Sequence, residues 1–207
     1  MSFFSLDSIT NNNEFHYIRL FLIIFIFSSI KLIVIGSFPS FSHSHAAAIL
    51  PIIDDLRRFF VYFKRLILQN DKNNLSISNE VLYWFQGTLN VLNRYKLLIN
   101  HKIINPKNRM DLIKDLGTIY SKYRKKLYKD GFSGRNTINK DDIINYIDIS
   151  ILFFDHTISL NIDNKKLYHS YNILKFSKNY THLDVNPLYE MLEGQVAVLS
   201  SGYLNSE

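Results

Sequence analysis

A chain of 207 residues, 47% hydrophobic and 20% charged, is long enough for one domain with a real core and too apolar to be disordered. It contains no cysteine, which excludes disulfides and thiol chemistry. A net charge of +6, from 24 Lys and Arg against 18 Asp and Glu, suits weak attraction to anionic surfaces and no more.

The N-terminal segment, residues 1–45, carries an almost wholly apolar run from Leu20 to Ile35, broken by Ser28, Ser29 and Lys31. Thirteen apolar residues lie in it. Each contributes about −0.3 to −0.6 kcal/mol to insertion, against about +2.5 to +3.5 kcal/mol for a central lysine. The sum favours a transmembrane helix over residues 17–36, of bilayer length. The expectation is therefore a single-pass membrane protein. Arg19 on one side and Arg57, Arg58, Lys64 and Arg65 far along the other do not set its orientation. The alternative is a cytoplasmic protein with a greasy helix. A cleaved signal peptide is disfavoured, because the region before the run is long and not rich in Lys or Arg.

Residues 46–207 read as a helical domain. In the first helical segment Ile49, Ile52, Ile53, Leu56, Phe59, Phe60, Phe63, Leu66 and Ile67 form one apolar stripe at a 3.6-residue period. Ser78 caps a second, with Val81, Leu82, Trp84, Phe85, Leu89, Leu92, Tyr95 and Ile99. The third starts at Asn105-Pro106, stops at Gly131, and runs its stripe through Leu112, Leu116, Tyr120, Tyr123 and Leu127. The fourth opens at Asn139, with Asp141 and Asp142 complementing the helix dipole. The first stripe is expected to bury against Trp84, Phe85 and Leu92. Between the helices the linkers read as short polar loops. Only Leu167 to Phe176 alternates, so strand is expected there alone. Asn186-Pro187 reads as the start of a last helix that carries Leu188, Met191, Leu192 and Leu199 and stops at Gly202. The five residues after it look like the cap of a further helix, so the domain reads as incomplete at its C-terminus. The fold class is mainly α, built of antiparallel helical hairpins.

Several residue groups could carry chemistry. Ser42-His43-Ser44-His45 has two histidines but no third ligand nearby, so no metal is expected. Lys122, Lys125, Lys126 and Lys129 share a helix face beside Arg124, with Arg135 beyond. Such a face can meet phosphate, but no nucleic-acid recognition motif accompanies it, so no specific nucleic acid is expected. Lys129 to Arg135 has the glycines of a phosphate loop without its Gly-Lys-Ser/Thr ending, and reads as a helix stop and turn. Asp155 beside His156, and Glu190 one turn before Glu193, are the candidate acid–base residues. His169, Tyr171 and Asn172 on the extended segment offer donors and an aromatic face to a polar ligand. Gly194-Gln195 weakens a helix but lets another backbone come close.

Two longer strings resemble a known family: Tyr168-His169-Ser170-Tyr171-Asn172-Ile173-Leu174 and Leu188-Tyr189-Glu190-Met191-Leu192-Glu193-Gly194-Gln195-Val196-Ala197-Val198-Leu199-Ser200-Ser201-Gly202. With Leu97 to Lys102 and Tyr128 to Gly134, they are similar to very large bacterial proteins, some described as cellobiose-phosphorylase-like. The resemblance spans residues 46–207. It implies an α/α toroid around a sugar site, an aspartic acid donating a proton to the glycosidic oxygen, phosphate attacking the anomeric carbon, and no metal or organic cofactor. No motif transfers that aspartate to Asp148 or Asp155. The two functional expectations are therefore a piece of a larger carbohydrate-active protein, inactive alone, and a non-enzymatic helical interaction protein anchored in a membrane.

Overall fold

The computed structural model describes residues 45–48 and 50–204. The transmembrane candidate 17–36 and His43 lie outside them. In chain order the elements are β1 (His45–Ala48), α1 (Leu50–Gln69), β2 (Asn74–Ser78), α2 (Asn79–Tyr95), a 3-10 turn (Lys96–Asn100), α3 (Pro106–Asp130), β3 (Arg135–Asn139), α4 (Lys140–Leu160), β4 (Tyr171–Phe176), β5 (Leu183–Pro187) and α5 (Leu192–Ser200). The fold is mainly α, as the stripes predict.

The helix starts fall where their caps place them. The Ser78 hydroxyl accepts from the Val81 N–H at 3.4 Å, the Asn105 side chain from Lys107 N–H at 2.8 Å with Pro106 behind it, and the Asn139 side chain from Asp141 N–H at 2.9 Å. Gly131 ends α3 at φ 69°, a conformation in which a Cβ is strained.

The linkers before α2 and α4 are strands, not the loops expected. β2 and β3 pair antiparallel, from Asn74 opposite Asn139 to Ser78 opposite Arg135. Each strand runs directly into its helix cap, so the antiparallel ribbon sets the start of α2 beside Arg135 and the start of α4 beside Asn74, at opposite ends. The signal was an alternation only five residues long, Asn-Leu-Ser-Ile-Ser facing Arg-Asn-Thr-Ile-Asn, which polar composition obscures.

The expected strand near 167–176 is present as β4, and it is the middle of a three-stranded antiparallel sheet in the order β1-β4-β5. Strand is therefore not confined to that segment. The sheet also corrects the last helix. Asn186 pairs with Ile173 and Pro187 with Asn172 on the edge strand β5, where proline's missing N–H is tolerated. Ladder pairing outcompetes the Asn-Pro helix signal, and α5 starts five residues later, at Leu192. Gly202, at φ 66°, does follow its end.

One apolar cluster joins α1, α2, α4 and α5. The α1 stripe packs on α4 and α5 rather than chiefly on α2. Phe60, 3% exposed, meets Phe154 edge-on at 5.4 Å and Tyr146 at 6.2 Å. Phe85 of α2 reaches the other side of Tyr146, at 4.9 Å, while Trp84 turns to Tyr123 of α3. Burial of this kind contributes about 1.5–3 kcal/mol per large side chain. α4 is the one described helix long and apolar enough to cross a bilayer. Here Tyr146, Ile147, Phe154 and Ile158 bury in the core, and Asp148 and Asp155 pair with Lys64 and Arg57 of α1 at 2.5 Å each.

Candidate functional site: an aliphatic cavity

A cavity of about 360 Å³ opens between α1, α3, α4 and the sheet. Helical periodicity builds its α4 wall: Phe153, His156, Thr157, Leu160 and Asn161 recur three, four, seven and eight residues apart on one face. Ile52, Ile53 and Leu56 of α1, Leu112, Ile113 and Leu116 of α3, and Leu174, Leu183 and Val185 of the sheet supply the aliphatic remainder. Leu92 of α2 also lines it. Among the described residues, no Asp or Glu lines it.

Its polar groups differ in what remains free. Thr157 turns its hydroxyl to the Phe153 carbonyl at 2.8 Å. Asn161, at the end of α4, donates to the Thr157 carbonyl at 2.7 Å, accepts from the Asn172 amide at 2.8 Å, and receives the His169 N–H on its own carbonyl at 2.9 Å. That knot fastens α4 to β4. His156 carries a buried Nε2 with no hydrogen-bond partner among the described residues. Burial, and then the nearby His101, hold its pKa below the usual histidine value, so the ring is neutral at neutral pH. Arg109 of α3 donates to the carbonyls of Leu183 at 2.8 Å and Ile104 at 3.4 Å, and has no carboxylate within ion-pairing distance among the described residues. Burial lowers its pKa, with Asp184 opposing at longer range. A guanidinium nevertheless stays charged at neutral pH. Lys102, exposed, completes the polar rim.

The sequence candidates mostly go elsewhere. Asp155 is the counter-ion of Arg57, whose Nη1 also donates to the Ser201 carbonyl at 2.8 Å while its guanidinium lies 5.9 Å from the Tyr203 ring. That arrangement clamps α1, α4 and the end of α5. Glu190 and Glu193 do not share a helix: Glu190 precedes α5 and lies 3.5 Å from Lys165, whereas Glu193 is exposed in its first turn. Of His169, Tyr171 and Asn172, only Asn172 reaches the cavity. His169 Nδ1 is buried with no hydrogen-bond partner among the described residues, and the Tyr171 carbonyl accepts from Leu188 N–H at 3.0 Å.

Gly194-Gln195 does what its composition suggests, and the role is architectural. The Gln195 side chain pairs with Tyr168 as a strand would, accepting from its N–H at 3.0 Å and donating to its carbonyl at 2.8 Å. A Cβ on Gly194 would stand 2.6 Å from the Tyr168 carbonyl and 2.7 Å from the Ser170 hydroxyl. Sequence reasoning missed Arg109 and Lys102, because only the tertiary fold brings them to the α4 stripe. Among the described residues, no group of three His, Asp or Glu side chains is placed to hold a metal ion. No protein-family model matches this chain, nor does any curated protein.

Proposed function

We propose that the chain is a non-catalytic helical binding module that holds an amphiphile, a single aliphatic chain ending in a carboxylate. The tail lies in the cavity and the head at Arg109 and Lys102. Anchoring through residues 17–36 would keep the module beside its source, the membrane. The carrying observation is the cavity wall, mostly aliphatic yet bordered by a guanidinium with no carboxylate in ion-pairing distance among the described residues. Its volume lies at the lower end of the range for small-molecule sites, and its few convergent polar groups fit the usual pattern of such sites. Phosphorolysis of a glycosidic bond would need at least one carboxylic acid at the glycosidic oxygen, and among the described residues no Asp or Glu lines the cavity. With Asp155 and Glu190 committed to ion pairs away from the cavity, the carbohydrate reading rests on the resemblance alone.

The test is displacement of a fluorescent fatty acid from the full chain by unlabelled long-chain carboxylates and by alcohols of equal length. Saturable binding is expected, with carboxylates preferred. Ile113→Trp, which fills the wall, should abolish it, and Lys102→Met should narrow the preference. Glucoside binding with no response to acyl probes would reverse the reading.

A further inference from the structure

The second half of α3 and the turn after it form a surface of a different kind. Between Tyr120 and Arg135 lie six of the chain's 24 Lys and Arg but only one of its 18 Asp and Glu, Asp130. The rest of the chain is therefore close to neutral. At 3.6 residues per turn, Arg124, Tyr128, Lys125, Lys129 and Lys122 occupy one continuous arc opposite the buried Leu116 and Tyr123. Lys122, Arg124, Lys125 and Lys129 are all exposed and have no ion-pair partner among the described residues; only Lys126, at 3.9 Å from Glu80, has one. The helix dipole accounts for a cation in the last turn, such as Lys129, but not for the others.

Two aromatics stand in the same place. Tyr128 is 80% exposed and Phe132 61% exposed. Phe132 is not there through slackness. The Glu80 carboxylate accepts from both the Ser133 N–H at 3.1 Å and the Ser133 hydroxyl at 2.5 Å, and the Gly134 carbonyl accepts from Asn79 N–H at 3.1 Å. The turn is fastened on both sides while it holds an apolar ring in solvent.

We propose that this surface docks on an anionic lipid bilayer, with Lys122, Lys125 and Lys129 over the headgroups and Tyr128 and Phe132 entering the interface. Cations flanking aromatic rings at a turn are the composition that a headgroup region accepts. A stacking site for single-stranded nucleic acid would present its rings along a groove that follows the backbone. Here they sit at the end of a convex helix. The contact is independent of what the cavity holds.

The absence of cysteine makes a clean experiment available. The full chain carrying Asp130→Cys, labelled with a polarity-sensitive dye, is mixed with vesicles of neutral lipid alone or with added phosphatidylserine. A blue shift is expected only with the anionic vesicles, even where residues 17–36 hold the chain on both. Each neutralised lysine should weaken the dye response roughly fivefold. The Lys122→Gln, Lys125→Gln, Lys129→Gln triple variant should lose on the order of a hundredfold, and Phe132→Ser should reduce the shift at unchanged salt dependence. Equal shifts on neutral and anionic vesicles would overturn the proposal, as would no shift on either. A response to oligonucleotide with none to vesicles would assign the surface to nucleic acid instead.

Discussion

Glu80 and Asp54 are both buried carboxylates in helices, and their surroundings push them in opposite directions. Glu80, at the start of α2, accepts from the hydroxyl and N–H of Ser133 and has Lys126 nearby; the Ser133 hydroxyl above all holds its pKa below the ordinary value, against the effect of burial. Asp54, on the face of α1 that meets α5, accepts from the Ser200 hydroxyl at 2.7 Å, while its other oxygen, like Glu80 Oε2, is buried with no hydrogen-bond partner among the described residues. Burial dominates there and raises its pKa. The lesson is that donor count decides the sign. Both have cations nearby, Lys126 at Glu80 and Arg58 and Arg57 at Asp54, but the hydrogen bonds from Ser133 and its own backbone outweigh desolvation at Glu80, and the single hydroxyl at Asp54 does not.

The comparison breaks most sharply at Glu80. Replacing it with alanine removes a charged hydrogen-bond pair and strands the Ser133 N–H, which should cost about 3 kcal/mol in urea unfolding. An effect near zero would mean that the turn does not depend on this carboxylate. Next comes Gly194→Ala, which drives a methyl into the Tyr168 carbonyl and should loosen α5 from the α1 face that carries Asp54, at about 1–3 kcal/mol. Serine at 194 should be no better tolerated, since the contact is with backbone.

Asp54→Asn should give the smallest effect, and it has the opposite sign. It keeps an acceptor for Ser200 and removes a disfavoured charge, so stability at neutral pH should rise by less than about 1 kcal/mol. The two residues also differ in pH dependence. Asp54 has a folded pKa above its unfolded one, so between the two the folded state holds more protons and stability falls as pH rises. Glu80 has a folded pKa below its unfolded one, so its contribution is present above the unfolded value and is lost as pH falls through the folded one. Urea midpoints across the carboxylate range should therefore show a steeper acid loss in Asp54→Asn than in the native chain, and a shallower one in Glu80→Ala. Parallel curves would remove the distinction.

The helices were legible because their information is local. Ser78, Asn105-Pro106, Asn139 and Gly131 act on N–H and C=O groups only two to four residues away, and the apolar stripes need nothing beyond the helical period. The β2–β3 ribbon was not legible, since each strand is five residues of mixed polarity whose meaning depends on a partner some sixty positions distant. Asn186-Pro187 misled for the same reason, a local helix signal overruled by pairing with Ile173 and Asn172. The cavity was legible only in pieces. His156, Asn172, Leu112 and Leu116 stood out in the sequence, but the α4 face from Phe153 to Asn161 did not, and Arg109 reaches it from another helix with nothing near it in sequence to mark it. Asp155 and Glu190 were visible as carboxylates, while the ion pairs that occupy them were not.

The clamp between α1 and α5 has a consequence for how the chain is made. Ser200 donates to Asp54 across 146 residues, and Arg57 to the Ser201 carbonyl across 144. On a ribosome adding 5–20 residues per second, α1 waits roughly 7–30 s for its C-terminal partner. Through that interval the α1 surface that α5 covers stays open to solvent, and contacts this distant in sequence are the slowest to form.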